Sequence, residues 1–195
     1  MRKQFIIGSL LPLIFGGLIY IGLRGDNLVM FSWYDTLHIN WLTDGIRDIF
    51  QRSDMNYVPN WIMYSLPGGL YMMSSVSLIM LIWHNYITPT SALWIFALPV
   101  LGILSEPCQH TGHFPGTHDF GDYILYALGV IIPIYLYKNK VETKDISYSS
   151  PSWKRHMLSF IVVVIFSILA FGADVVGSPL GEIVNKIAGA KWAGY

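Results

Sequence analysis

The segment Ser105-Glu106-Pro107-Cys108-Gln109-His110-Thr111-Gly112-His113-Phe114-Pro115-Gly116-Thr117-His118-Asp119-Phe120-Gly121-Asp122 holds the residues best equipped for chemistry. It brings three acids, three histidines, one cysteine and one glutamine into a stretch bounded by apolar runs. Ionisable groups at the end of a membrane helix are costly unless they are paired, solvated or functional. Asp119 and Asp122 are three apart, so they share a face of a helical first turn. Acids there also suit the positive end of the helix dipole, and Asp119 fits the N-cap position. Glu106 with Asp122 can bind a cationic or hydrogen-bond-donating group. The same acids can serve as general base and electrostatic partner, with His110 or His118 shuttling a proton. Cys108, His110, His113 and His118 are weak candidates for metal ligands, since Gly112, Pro115 and Gly116 leave the loop geometry undefined and no zinc signature is matched. The plain structural reading is that Asp119 only caps a helix and Glu106 pairs with Arg47 or Arg52.

The elements around this segment are hydrophobic. Of the 195 residues, 53% are hydrophobic and 12% charged, against roughly 25% charged in soluble domains. Much of the surface therefore does not face water. Five runs read as membrane helices, measured against the roughly 20 apolar residues a span requires: Phe5–Leu23, Trp61–Trp83, the short Ala92–Ser105 with Pro99 inside it, Phe120–Tyr137 and Met157–Ala173. The first follows Met1-Arg2-Lys3 like a signal peptide, but it is too long for one and is read as a retained helix. Pro67-Gly68-Gly69 predicts a break or entry turn in the second. The fold class is thus all-α, a transmembrane bundle forming one membrane domain over 1–195. Its core lies at about 66–138, an outer loop at 24–60, and a last span with its tail at 157–195.

Arg2 and Lys3 precede the first run, and Lys138, Lys140, Lys144, Lys154 and Arg155 lie between the fourth and fifth. Five spans put both groups on one side. The distribution of basic residues makes that side cytoplasmic, with the C-terminus outside. Loop 24–60 is predicted to hold an amphipathic interfacial helix, with Asp44, Arg47 and Asp48 on a polar face opposite Leu42, Ile46 and Phe50. A weaker pattern of the same kind covers Leu180–Ala190. Net charge is zero, so nothing draws the chain to nucleic acid. No cofactor motif is present, and the single cysteine excludes an internal disulfide.

The ordered set Glu106-Pro-Cys-Gln109, Gly116-Thr117, Asp119-Phe-Gly-Asp122 and Ala127-Leu-Gly129 resembles the VanZ-like family. That family carries a glutamate and glutamine three apart at the end of one membrane helix and two aspartates three apart opening the next. Tyr126 stands where many members have asparagine, and Gly116-Thr117 replaces the usual loop arginine. Tyr64-Ser-Leu-Pro67-Gly-Gly-Leu70-Tyr71 is similar to the proline–glycine entry of a core helix in some members. The resemblance covers about a third of the chain. It implies a small polytopic protein of the bacterial inner membrane acting at the cell envelope. The family's named member is linked to reduced susceptibility to teicoplanin-type lipoglycopeptides.

On this reading Glu106, Gln109, Asp119 and Asp122 form an outward-facing pocket for an envelope ligand such as a cell-wall precursor or a lipoglycopeptide. Glu106 and Asp122 bind it, Asp119 shapes the loop by capping, and Gly129 lets helices approach. Membrane lipid is the obligatory partner. Two other readings stay open: a membrane-embedded, metal-dependent enzyme using the Glu/His/Asp loop, and a non-catalytic subunit or pore of a membrane complex. The small pairs Gly16-Gly17, Gly68-Gly69 and Ser74-Ser75 would serve the latter, although packing within one bundle explains them equally.

Overall fold

The computed structural model describes residues 1–24, 28–52, 58–111, 119–138 and 152–172. The predicted amphipathic tail, the segment 139–151, and His113 and His118 lie outside the described residues. Every regular element among the described residues is helical. They are α1 (Gln4–Leu23, π-helical over Gln4–Leu10 and α-helical over Leu11–Leu23), α2 (Val29–Thr36), α3 (Asn40–Arg52), α4 (Asn60–Tyr64), α5 (Leu66–Ile82), α6 (Pro89–His110), α7 (Phe120–Tyr137) and α8 (Ser152–Ser167), which ends in a π-helical turn at Ile168–Gly172.

Four of these segments are long and apolar enough to cross a membrane: Gln4–Leu23, Pro89–His110, Phe120–Tyr137 and Trp153–Phe171. The second of the five predicted runs is the exception. It is divided at Ser65 into α4 and the 17-residue α5. The Ser65 N–H closes α4 on the Trp61 carbonyl, while its own carbonyl accepts from Gly69. Pro67 sits in the first turn of α5, where its missing N–H costs no hydrogen bond.

Two helices differ in their bounds from the sequence expectation. Helix α6 extends past both ends of Ala92–Ser105. A capping box at Thr88 and Ser91 starts it earlier, with Ser91 N–H donating to Thr88 Oγ1 at 3.2 Å and Thr88 N–H to Ser91 Oγ at 2.8 Å. At the other end hydropathy falls at Glu106 while the backbone ladder runs on to His110, so Glu106 and Gln109 stand on a helix. Helix α8 starts before Met157 and takes Lys154 and Arg155 out of the predicted loop. Arg155 is buried, with its guanidinium 5.2 Å from the centroid of the Trp83 ring.

Helix α5 is the axis of the bundle and packs against α1, α6, α7 and α8. Met72, Val76, Ile79 and Met80 are fully buried, as are Ser74, Ser75 and Ser77. Small residues let its neighbours come this close. A Cβ added at Gly129 of α7 would lie 2.5 Å from the Gly69 carbonyl oxygen, and one at Gly16 of α1 would lie 2.9 Å from the Tyr71 ring. Outside this core the spans carry a belt of exposed side chains such as Leu93, Leu104, Ile131 and Phe160. A water-facing surface seldom exposes so many contiguous apolar groups, whereas hydrocarbon accepts them.

Side-chain hydrogen bonds fix the register of α1 on α5. Gln4 and Asn85 exchange amide hydrogen bonds at 2.7 and 2.9 Å, and Gln4 also donates to the Ser77 carbonyl. The Ser9 and Ser74 hydroxyls each donate to the other residue's carbonyl, at 3.1 and 2.7 Å. The N-terminus thus lies at the same end of the bundle as the starts of α6 and α8, and the basic groups at both places share that end.

Helix α3 is amphipathic, with faces that differ from the expected ones. Thr43 is buried and Ile46, Arg47 and Phe50 are half-buried. Trp41, Leu42 and Ile49 form the exposed apolar stripe, at 70%, 49% and 69% exposure. Arg47 and Phe50 thus turn toward the bundle, while Leu42 stays on the exposed apolar side. Two receiving groups explain this: the Phe31 ring lies 4.7 Å beneath the Arg47 guanidinium, and Gly22 of α1 leaves the space that Phe50 fills.

Candidate functional site

Three chain segments converge where α5 begins, α6 ends and α7 begins. Helix α6 delivers Glu106 from its last turns, and the side chain is fully buried. Its Oε2 accepts from the Asp119 N–H at 3.4 Å, and its Oε1 accepts from the Tyr126 hydroxyl at 3.5 Å. Tyr126 stands one turn beyond Asp122 on α7 and is itself buried.

Asp119 is the N-cap of α7. Its Oδ1 accepts from the Gly121 N–H at 2.9 Å, satisfying one of the free donors of the first turn. Its Oδ2 accepts from the Ser65 hydroxyl at 3.3 Å. The cap thereby joins α7 to the break between α4 and α5. Asp122 is half-buried in the first turn of α7, and its carboxyl lies near the Ser65 hydroxyl and the Glu106 carboxyl.

The closeness of Glu106 and Asp122 has a simple chemical consequence. An ionised carboxylate only accepts, so two carboxyl groups can hydrogen-bond to each other only with a proton between them. The pair, with Tyr126 and Ser65 as hydroxyl neighbours, can hold and release a proton or accept the N–H groups of a cation in its place. Apolar packing shields its inner side: Met72 and Gly102 lie against Tyr126.

Glu106, Asp119 and Asp122 thus lie together at one helix junction. Arg47 lies over Phe31, away from the role of counter-ion to Glu106 that the sequence offered it. Gln109 is half-buried in the last turn of α6, and among the described residues no hydrogen bond joins it to the carboxyls. Cys108 is an exposed free thiol, and His110 is exposed at the C-terminus of α6. Among the described residues no group of three or more His, Cys, Asp or Glu side chains is arranged to hold a metal ion.

Ser65 is the member of the site that sequence reasoning missed. Its signal was its place just before Leu66-Pro67, where a broken helix leaves a polar residue at the junction. Missed as well was a polar cluster at the opposite end. There the Trp83 indole N–H donates to the Ser159 hydroxyl at 2.9 Å, and that of Trp94 donates to Nδ1 of His156 at 3.0 Å. The His156 ring meets both indoles edge-on. No protein-family model, curated protein or solved structure matches this chain.

Proposed function

We propose that this chain is a VanZ-like protein of the bacterial inner membrane that binds an envelope molecule through its carboxyl cluster. The observation that supports this most is the gathering of Glu106, Asp119 and Asp122, from two helices separated by a loop in sequence, at one helix junction. Ionisable groups kept inside a membrane bundle are functional sites by default. Asp122 supplies the reachable carboxyl and Glu106 the buried one beneath it. The ligand contributes an ammonium or a set of N–H donors, as a cell-wall precursor or a lipoglycopeptide would, and displaces the shared proton. Asp119 and Gln109 frame the entrance.

The orientation that serves this function has the basic end in the cytoplasm and the carboxyl end outside. Helix α3 then rests on the outer membrane–water boundary with Trp41, Leu42 and Ile49 against lipid. The test compares lipoglycopeptide susceptibility and surface-bound drug in cells making the wild type or the Glu106→Gln/Asp119→Asn/Asp122→Asn variant, both membrane-inserted. The proposal expects protection by the wild type alone. Equal behaviour of wild type, variant and empty vector would remove the envelope role, and a reporter placing residue 112 in the cytoplasm would reverse the orientation.

A further inference from the structure

Helices α2 and α3 enclose a cleft of about 220 Å³ lined by Phe31, Asp35, Asn40, Thr43, Asp44 and Arg47. Its walls are held by the turn between the helices. The His38 N–H donates to the Asp35 carbonyl at 3.1 Å and the Ile39 N–H to the Tyr34 carbonyl at 3.0 Å, with His38 in the left-handed region at φ 56°. Thr43, 4% exposed, donates its hydroxyl proton to the Asn40 carbonyl at 2.8 Å. The cleft is therefore ordered by backbone contacts rather than by the charges it displays.

Those charges are mixed. Asp35 comes from α2 and Asp44 from α3, and among the described residues neither carboxylate has a hydrogen bond or ion pair. Arg47 shares the cleft, its guanidinium lying over the Phe31 ring at 4.7 Å. A bare cation would meet the repulsion of Arg47, and a bare anion that of both aspartates. A molecule carrying both signs can set a complementary charge beside each of the three groups. The volume is below the roughly 300 Å³ at which drug-sized pockets begin, which limits the occupant to a small solute or a single headgroup. On α3 the lining residues 40, 43, 44 and 47 fall on the side opposite Trp41, Leu42 and Ile49, so with that apolar stripe against lipid the cleft opens toward water.

We propose that this cleft binds a small zwitterion: a primary ammonium, held between Asp35 and Asp44, with a carboxylate or phosphate a few bonds away on Arg47. An α-amino acid and an ethanolamine phosphate share this chemistry. The site is separate from the carboxyl cluster and does not depend on its role.

The test uses the full chain in nanodiscs of phosphatidylglycerol, with alanine and ethanolamine phosphate as probes, N-acetylalanine and ethylamine as controls, and saturation-transfer NMR as readout. Both zwitterions should bind with millimolar affinity, and each control, lacking one charge, should bind about three- to fivefold more weakly. Asp35→Asn/Asp44→Asn should remove the preference for alanine over N-acetylalanine, and Arg47→Gln the preference for alanine over ethylamine. Both aspartates are exposed, so the first variant should fold, as its melting curve will verify. Nanodiscs containing phosphatidylethanolamine distinguish the sources: if they abolish probe binding the natural occupant is a lipid headgroup, and if they do not it is a free solute. Controls that bind as well as the zwitterions, or no probe signal in wild type, would overturn the proposal.

Discussion

At one end of the bundle carboxyl groups meet each other, while at the other an arginine and a histidine are packed among indoles. The first arrangement joins like with like. Glu106 and Asp122 are held close although each would repel the other when ionised, and hydroxyls from Tyr126 and Ser65 complete the set. The second is complementary throughout. Trp83 and Trp94 donate to Ser159 and His156, and the Arg155 cation lies against the Trp83 ring face. A complementary cluster stabilises the fold and has no need of a ligand. A cluster of like groups is improved by one, because an incoming cation relieves what the protein alone leaves in tension. Burial by itself therefore does not mark a binding site; the mismatch among the buried groups does.

This comparison can be broken or sharpened by substitution. The largest effect should come from the contact that both ends share. Gly129→Leu forces a side chain into the Gly69 carbonyl, and the overpacking should cost about 3 kcal/mol or more, seen as loss of monodisperse protein in detergent. Next is Arg155→Ala, which should lower stability by about 2 kcal/mol through lost packing against Trp83 while leaving envelope phenotypes as in wild type. Trp94→Phe keeps the ring but removes its N–H donor, for a loss of about 1 kcal/mol in thermal melts and again no change in phenotype.

The carboxyl end should behave in the reverse way. Glu106→Gln is nearly isosteric and keeps a hydrogen-bonding group, so its stability should stay within about 1 kcal/mol of wild type while ligand protection is lost. The smallest effect belongs to Asp119→Asn, which retains a capping oxygen and should shift stability by only a few tenths of a kcal/mol. If Glu106→Gln melts far below wild type, or Trp94→Phe abolishes protection, the division of labour between the two ends is wrong.

The sequence carried the helical class, the fourth run to its end residues, the break at Pro67 and the Asp119 cap. These rest on local signals: apolar length, a proline and an aspartate before a helix. It did not carry the true ends of α6 and α8. Hydropathy stops at the first charge, whereas a helix stops where its backbone bonds do. Arg155 looked like a loop cation because only tertiary structure brings Trp83 to it. The Arg47–Phe31 contact stayed hidden for the same reason, since Phe31 belongs to another helix. Of the site, Asp119 and Asp122 were legible from spacing, while Ser65 arrives from 41 residues upstream of Glu106 and announces itself only by interrupting a helix.

The π-helical opening of α1 sets a phase. In an α-helix, Gln4 and Ser9, five residues apart, would point about 140° away from each other. A ladder that closes five residues back turns less per residue and narrows that angle, and both side chains reach α5 there. The wide turn thus acts as a clutch between the first few residues and the rest of the span. Removing one residue between Gln4 and Ser9 should let the segment relax to α geometry with the two side chains only about 40° apart, so that both the Gln4–Asn85 and Ser9–Ser74 contacts persist. A one-residue deletion at this point would be absorbed by the change of ladder rather than passed down the helix.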